Sequence, residues 1–222
     1  MKKKRLIVKI TSSITITAIL IYTITILTRS KAYAQFLESY KRLSKPEQQW
    51  VRRYPIAAFR THNLADSAKK EAIRRIKDPD LDADIEGGMV DAFKHTFWMA
   101  LTAQKIGAKK ALLLGKAHED ANKIEFEKNP KRKGITQDSI ASQMDMLNNI
   151  EGAYIGETYP DMPYQELIKI VKQAVVDGKC WKIKKKNVKT YLDSNNNIIN
   201  IHDYDNKWAI PKVLIRSNKT TN

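Results

Sequence analysis

The chain holds a single cysteine, Cys180, among its 222 residues. One thiol excludes an internal disulfide framework and any multi-cysteine zinc finger. It does not decide the redox compartment, because an exported protein needs no disulfide. Glycine and proline are scarce too, at 8 and 7 residues. Together with 42% hydrophobic and 29% charged residues, this excludes a collagen-like repeat, a disordered polar chain and a multi-pass membrane protein. No acid precedes Gln35, a stretch that carries seven of the 40 Lys and Arg. Of the formal +16, the remainder keeps 33 cations against 24 acids, or +9. Such a balance favours anionic partners: phospholipid, wall polymer or nucleic acid.

Charge and hydropathy are arranged most sharply at the amino end. Lys2, Lys3, Lys4, Arg5 and Lys9 precede an uncharged, Ile-rich run from Ile10 to Thr28 that is dotted with Ser and Thr. As a helix the run spans about 28 Å, enough to cross a bilayer core. Ala32-Tyr33-Ala34 offers a small-x-small site that signal peptidase could cut. Residues 1–34 therefore read as a signal peptide or a retained transmembrane anchor. The compact basic head places the amino end inside and the body outside, although Arg29, Lys31, Lys41, Arg42 and Lys45 nearly balance it. The expected location is the cell membrane with an extracytoplasmic body, or release after cleavage at Ala34.

Residues 35–222 read as one mainly α domain, a multi-helix orthogonal bundle ending in a small β-hairpin or meander. Ser44-Lys45-Pro46-Glu47 is a capping box that opens a short helix to about Tyr54. Leu64, Ala65, Ala68, Ala72, Ile73 and Ile76 form one stripe of a helix over 63–77. Further helices are expected from about Met89 to Gly107, Ala108 to about Lys123, Asp138 or Thr136 to about Glu157, and Tyr164 to Asp177. Asn129 to Gly134 reads as a basic loop. Alternation over Trp181–Lys186, Val188–Asp193 and Ile198–Ile201, with a turn at 193–197, predicts the β tail.

Three of these helices carry polar residues that a plain bundle would not need. Asp91, His95, Trp98 and Thr102 follow at steps of four, three and four, and so share a face. His118-Glu119 lies on the next helix. Asp145, Asn149, Gly152 and Gly156 repeat the same steps on a third. His95, His118 and Asp145 form a ligand set suited to a divalent metal such as zinc or manganese. Asp91 could orient the His95 imidazole, and Glu119 could deprotonate a bound water. Without a metal, His95, Asp91 and Glu119 suffice for acid–base catalysis of hydrolysis. The bland alternative is a buried polar network that sets helix register. His62 and His202 read as ordinary core or surface groups. Lys179, Lys182, Lys184, Lys185, Lys186 and Lys189, interleaved with Trp181 and Tyr191, form a basic patch. It could serve a non-catalytic envelope-binding module on anionic lipid or wall polymer. More often such a patch is the solvated edge of a small sheet. The hairpin is too short for an oligonucleotide-binding barrel, so nucleic acid is not the expected partner.

The order His95, His118-Glu119, Asp145 resembles the His, His-Asp, Asp arrangement of helical metal-dependent phosphohydrolases, with Glu119 where that pattern has Asp. A second resemblance rests on Asp91-Ala92-Phe93-Lys94-His95-x-x-Trp98, then His118-Glu119, then Asp145-x-x-Asn148-Asn149-x-x-Gly152. This is similar to a family of bacterial exported or toxin-associated domains of unknown function, over about Leu64 to Trp181. The resemblance implies that Lys94, Trp98, Asn148 and Asn149 join the site as ligand-binding residues. Lys94 departs from the family's Arg, keeping the charge but losing bidentate binding of a carboxylate or phosphate. The resemblance implies a fold and a site position, and no reaction.

Overall fold

The computed structural model describes residues 17, 19–22, 25–26, 30–31, 33–129 and 137–219. The Ile10–Thr28 run lies largely outside these residues, as do most of the basic loop and the last three residues. The chain divides into two compact units, Met1–Leu43 and Ser44–Asn222. In the first, residues 33–42 are helical. Among the described residues no helix is long and apolar enough to cross a membrane.

The second unit is mainly helical. Helix α1 (Lys45–Arg53) starts at the capping box: Ser44 Oγ accepts from Glu47 N–H, and Glu47 Oε2 accepts from Ser44 N–H at 2.9 Å. Pro55 breaks the chain into a short α2 (Pro55–Thr61). Helix α3 (Leu64–Arg75) follows, then α4 (Met89–Ile106), α5 (Ala108–Lys128), α6 (Ser139–Thr158) and α7 (Tyr164–Val176). Asp138 caps α6, its Oδ1 accepting from Ile140 and Ala141 N–H at 2.8 and 3.0 Å. Gly107 separates α4 from α5 with φ +81°, a conformation that disfavours any Cβ.

Helix α4 is the axis of the fold. Fourteen of its 18 residues are buried, so it is enclosed on every side rather than amphipathic. It packs against α3, α5, α6 and α7. Phe93, Phe97 and Met99 are fully buried there, with Leu167, Val171 and Val175 of α7 in the same core. The contact with α6 is the tightest. A Cβ on Gly152 would lie 2.1 Å from Thr96 O, and one on Gly156 would lie 2.3 Å from Ala100 O. These glycines let two backbones meet without intervening side chains.

The β region differs from a simple meander. Strand β1 (Trp181–Ile183) pairs antiparallel with β4 (Leu214–Arg216), so its partner comes from the far end of the chain. Strands β2 (Lys185–Asn187) and β3 (Thr190–Tyr191) form a separate two-stranded sheet, and Leu192 bridges to Ile198 beyond the 193–197 turn. The expected strand over 198–201 gives way to a 3-10 turn at Ile201–Tyr204. Three-residue strands carry too little alternation to announce their partners. Asn148 on α6 tethers β1 to the helices: it donates to Trp181 O at 3.0 Å and accepts from Trp181 N–H at 2.8 Å.

Candidate functional site

The start of α4 is held by an acidic loop. Asp82 accepts from Met89 N–H at 2.8 Å, and Asp84 O accepts from Asp91 N–H at 3.2 Å. Asp91 in turn accepts the Gly87 N–H on its Oδ2 at 2.7 Å. The β region clamps this loop from outside. Ile183 N–H donates to Gly87 O at 2.7 Å, and buried Lys185 donates to Asp84 Oδ2 at 2.6 Å. Lys182 lies 3.7 Å from Asp82. Two lysines of the basic patch are thus engaged within the fold, while Lys179, Lys186 and Lys189 remain exposed.

One turn after Asp91, His95 presents Nε2 to two carboxylates. It lies 3.6 Å from Asp91 Oδ1 and 3.3 Å from Asp145 Oδ1 of α6. The glycine contact between α4 and α6 is what brings Asp145 this close. All three residues are buried. Lys94 reaches back to Asp91 Oδ1 at 2.5 Å. The fully buried Asn149 lies beside the His95 ring. Gly115 of α5 makes room for Asn149, since a Cβ there would lie 2.8 Å from Asn149 Nδ2.

Glu119 and Gln137 complete the polar floor. Glu119 Oε2 accepts from Asn122 at 3.1 Å and from Gln137 at 3.2 Å, and Gln137 also reaches Asp145 Oδ2 at 3.2 Å. The other oxygens, Glu119 Oε1 and Asp145 Oδ1, are buried and have no hydrogen-bond partner among the described residues. Gln137 had no sequence signal, because a lone glutamine after a basic loop belongs to no motif.

His118 stands apart from the set proposed for it. Its Nδ1 lies 3.2 Å from Glu47 Oε1 on α1, and its ring meets the Trp98 indole edge-on at 5.4 Å. In the compact carboxylate–imidazole cluster, Asp91 takes the third place that the sequence reading gave to His118. Glu47 was legible only as a capping residue; its second oxygen does this further work. Trp98 walls the site between His95 and His118, and Asn148 is occupied with the Trp181 backbone.

Asp91, Lys94, His95, Trp98, His118, Gln137 and Asp145 line a cleft of about 460 Å³ that reaches the exposed residues Asp66, Lys69 and Ile85; Glu119 lies behind Gln137, outside that lining. Its electrostatics follow from burial. Burial holds the His95 imidazole well below its ordinary 6.5, helped by the charges of Lys94 and His118 and opposed by Asn149. Burial also pushes Asp145 well above the usual carboxylate range, with Asp91 and Glu119 adding like charge. Glu119 is raised mainly by burial, against the pull of His118. For Lys94 burial works downward, but Asp91, Asp145 and Glu119 outweigh it and raise the amine. Carboxylates and an imidazole with displaced proton affinities in one cleft are what proton-transfer chemistry requires.

Fold and site together define a mainly helical domain with a buried imidazole held between two carboxylates at the floor of a cleft. Residues 48–179, more than half of the chain, match a family described as a domain of unknown function (DUF6973), and the chain belongs to that family. No curated protein matches the chain, and no solved structure does.

Proposed function

We propose that this cleft is a hydrolytic site in which His95 and its flanking carboxylates activate water. The observation that carries the reading is the convergence of His95 Nε2 with Asp91 and Asp145, from two helices, where a cleft meets the protein interior. A neutral imidazole can accept a proton from water, and Glu119, one oxygen of which has no partner among the described residues, is a second acceptor. Asp91, 3.6 Å from His95 Nε2, supplies countercharge to the imidazolium that forms. Lys94 and Trp98 face the same cleft and would contact the substrate. In this reading the body acts at the cell envelope, with residues 1–34 as its signal or anchor.

The test compares His95→Ala and Asp91→Asn with the wild-type chain, by melting and by assay against ester, phosphoester and wall-fragment substrates. His95→Ala is expected to lower turnover by roughly 10²–10⁴-fold, the usual contribution of a general acid–base group. It should leave the fold intact, and Asp91→Asn should lose less. A second reading is a register-setting polar network without catalysis, favoured by the bond from Gln137 to both Glu119 and Asp145. In that case His95→Ala melts much earlier than wild type and no substrate is turned over by either protein.

A further inference from the structure

We propose that Asp91, His95 and Asp145 form a binding site for one borderline divalent cation, Zn²⁺ or Mn²⁺, with a coordination position open to the cleft. One oxygen from each carboxylate and one imidazole nitrogen lie within 4.8 Å of one another, and all three residues are buried. The separations of 3.3 and 3.6 Å from His95 Nε2 have a geometric meaning. Ligand bonds of about 2.1 Å in a tetrahedron place neighbouring ligand atoms about 3.4 Å apart. Both separations from the imidazole nitrogen already match that spacing.

The bare cluster is also incompletely satisfied. With the imidazole proton on Nδ1, the Nε2 lone pair faces two carboxylate oxygens. Asp145 is 3% exposed, and its Oδ1 finds no hydrogen-bond donor among the described residues. Glu119, 6% exposed, likewise leaves Oε1 unpartnered, and Gln137 bonds to both carboxylates. Buried acceptors of this kind are costly unless something positive lies among them. Three carboxyl groups (Asp91, Glu119 and Asp145) gather around a single ammonium, Lys94, so the cluster has room for further positive charge. One nitrogen and two oxygens suit zinc or manganese better than the all-oxygen shells of calcium or magnesium. Three protein ligands instead of four leave the open position typical of catalytic zinc. The helix pair supplies the rigidity, since Asp91 and His95 are one turn apart on α4 and Asp145 is held close by the glycine contact.

Only the catalytic use of the cation rests on the hydrolytic reading; binding does not. The experiment titrates ZnCl₂ and MnCl₂ into the chelator-stripped full-length chain, by calorimetry and, for Mn²⁺, by electron paramagnetic resonance. One equivalent should bind and raise the melting temperature. Asp145→Asn and His95→Gln should each weaken binding at least tenfold. For the zinc-loaded wild type, X-ray absorption should find imidazole and oxygen ligands and no sulfur, a readout that holds even if a variant fails to fold. Absence of saturable binding, binding unchanged by Asp145→Asn in a folded protein, or a sulfur ligand overturns the site. Binding without turnover of any substrate removes the hydrolytic reading and leaves the metal site. Turnover undiminished after stripping, with no binding, does the reverse.

Discussion

His118, grouped by sequence with His95 and Asp145, pairs instead with Glu47 of α1. Its pairing with Glu47 predicts a pH-dependent contribution to stability. Burial works to lower His118, but Glu47 and Glu119 outweigh it and raise the imidazole above its ordinary 6.5. Burial works to raise Glu47, but His118 and Ser44 outweigh it and hold the carboxyl below its ordinary 4.5. A raised histidine stabilises fully below 6.5 and loses that contribution as pH climbs through its folded value. A depressed carboxylate stabilises fully above 4.5 and loses it as pH falls through its folded value. The pair is thus complete between about pH 4.5 and 6.5 and fades on both sides. Because His118 is partly solvated, the effect of Glu47→Gln should be that of a screened pair, about 0.5–1 kcal/mol. Melting curves from pH 4 to 9 should show the largest difference from wild type near pH 5.5 and little at pH 9. A difference that does not vary with pH would mean the two residues do not titrate together.

At the scale of elements, the α4–α6 contact decides whether a site exists. Gly152 and Gly156 lie four residues apart along the Asp145 stripe, against the backbone of Thr96 and Ala100. On helix propensity alone, Gly152→Ala would stabilise by up to about 1 kcal/mol. The structure predicts the opposite sign, because the new Cβ would lie 2.1 Å from Thr96 O and must push the helices apart. A net loss of about 1–3 kcal/mol is expected, seen as a fall of several degrees in melting temperature. The same shift would carry Asp145 away from His95, so the variant should also bind Zn²⁺ more weakly. An unchanged or raised melting temperature would show that α6 does not depend on this approach. The β elements act on the other end of α4. Ile183 and Lys185 hold the loop that aims Asp91, although both lie beyond the matched residues 48–179.

Across the whole molecule, charge is sorted rather than spread. The stretch before Gln35 is purely cationic, and in the body several lysines face inward or along the acidic loop. Lys172 bridges Asp78 and Asp80 at 2.8 and 2.7 Å, and Lys212 meets Asp138 at 2.5 Å with both side chains 1% exposed. Lys172 ties α7 to the loop after α3, and Lys212 ties the carboxy-terminal segment to the start of α6; removing one partner of a buried pair such as Lys212–Asp138 typically costs about 3–5 kcal/mol. The amino-terminal stretch bears on location instead. A fusion of residues 1–40 to a reporter that works only outside the cytoplasm should be active, since five cations ahead of an apolar run favour an inside amino end. Activity of a matched reporter confined to the cytoplasm would reverse that orientation and remove the envelope from the proposed function.

Local sequence determined the helices and their faces. Capping at Ser44 and Asp138, the stop at Gly107, and steps of three and four depend on residues within a turn or two of one another, and such rules can be read from a string. The same steps placed Asp91 with His95 and Asp145 with Asn149, because one helix carries each pair. Which faces meet was decided only by the tertiary structure. It depends on where two backbones can approach, and a glycine records that approach without naming its partner. So Asp145 came to His95 while His118, on an equally polar helix, turned to Glu47. The pairing of β1 with β4 was likewise beyond local reading, since three-residue strands 30 residues apart share no pattern until the helices bring them together.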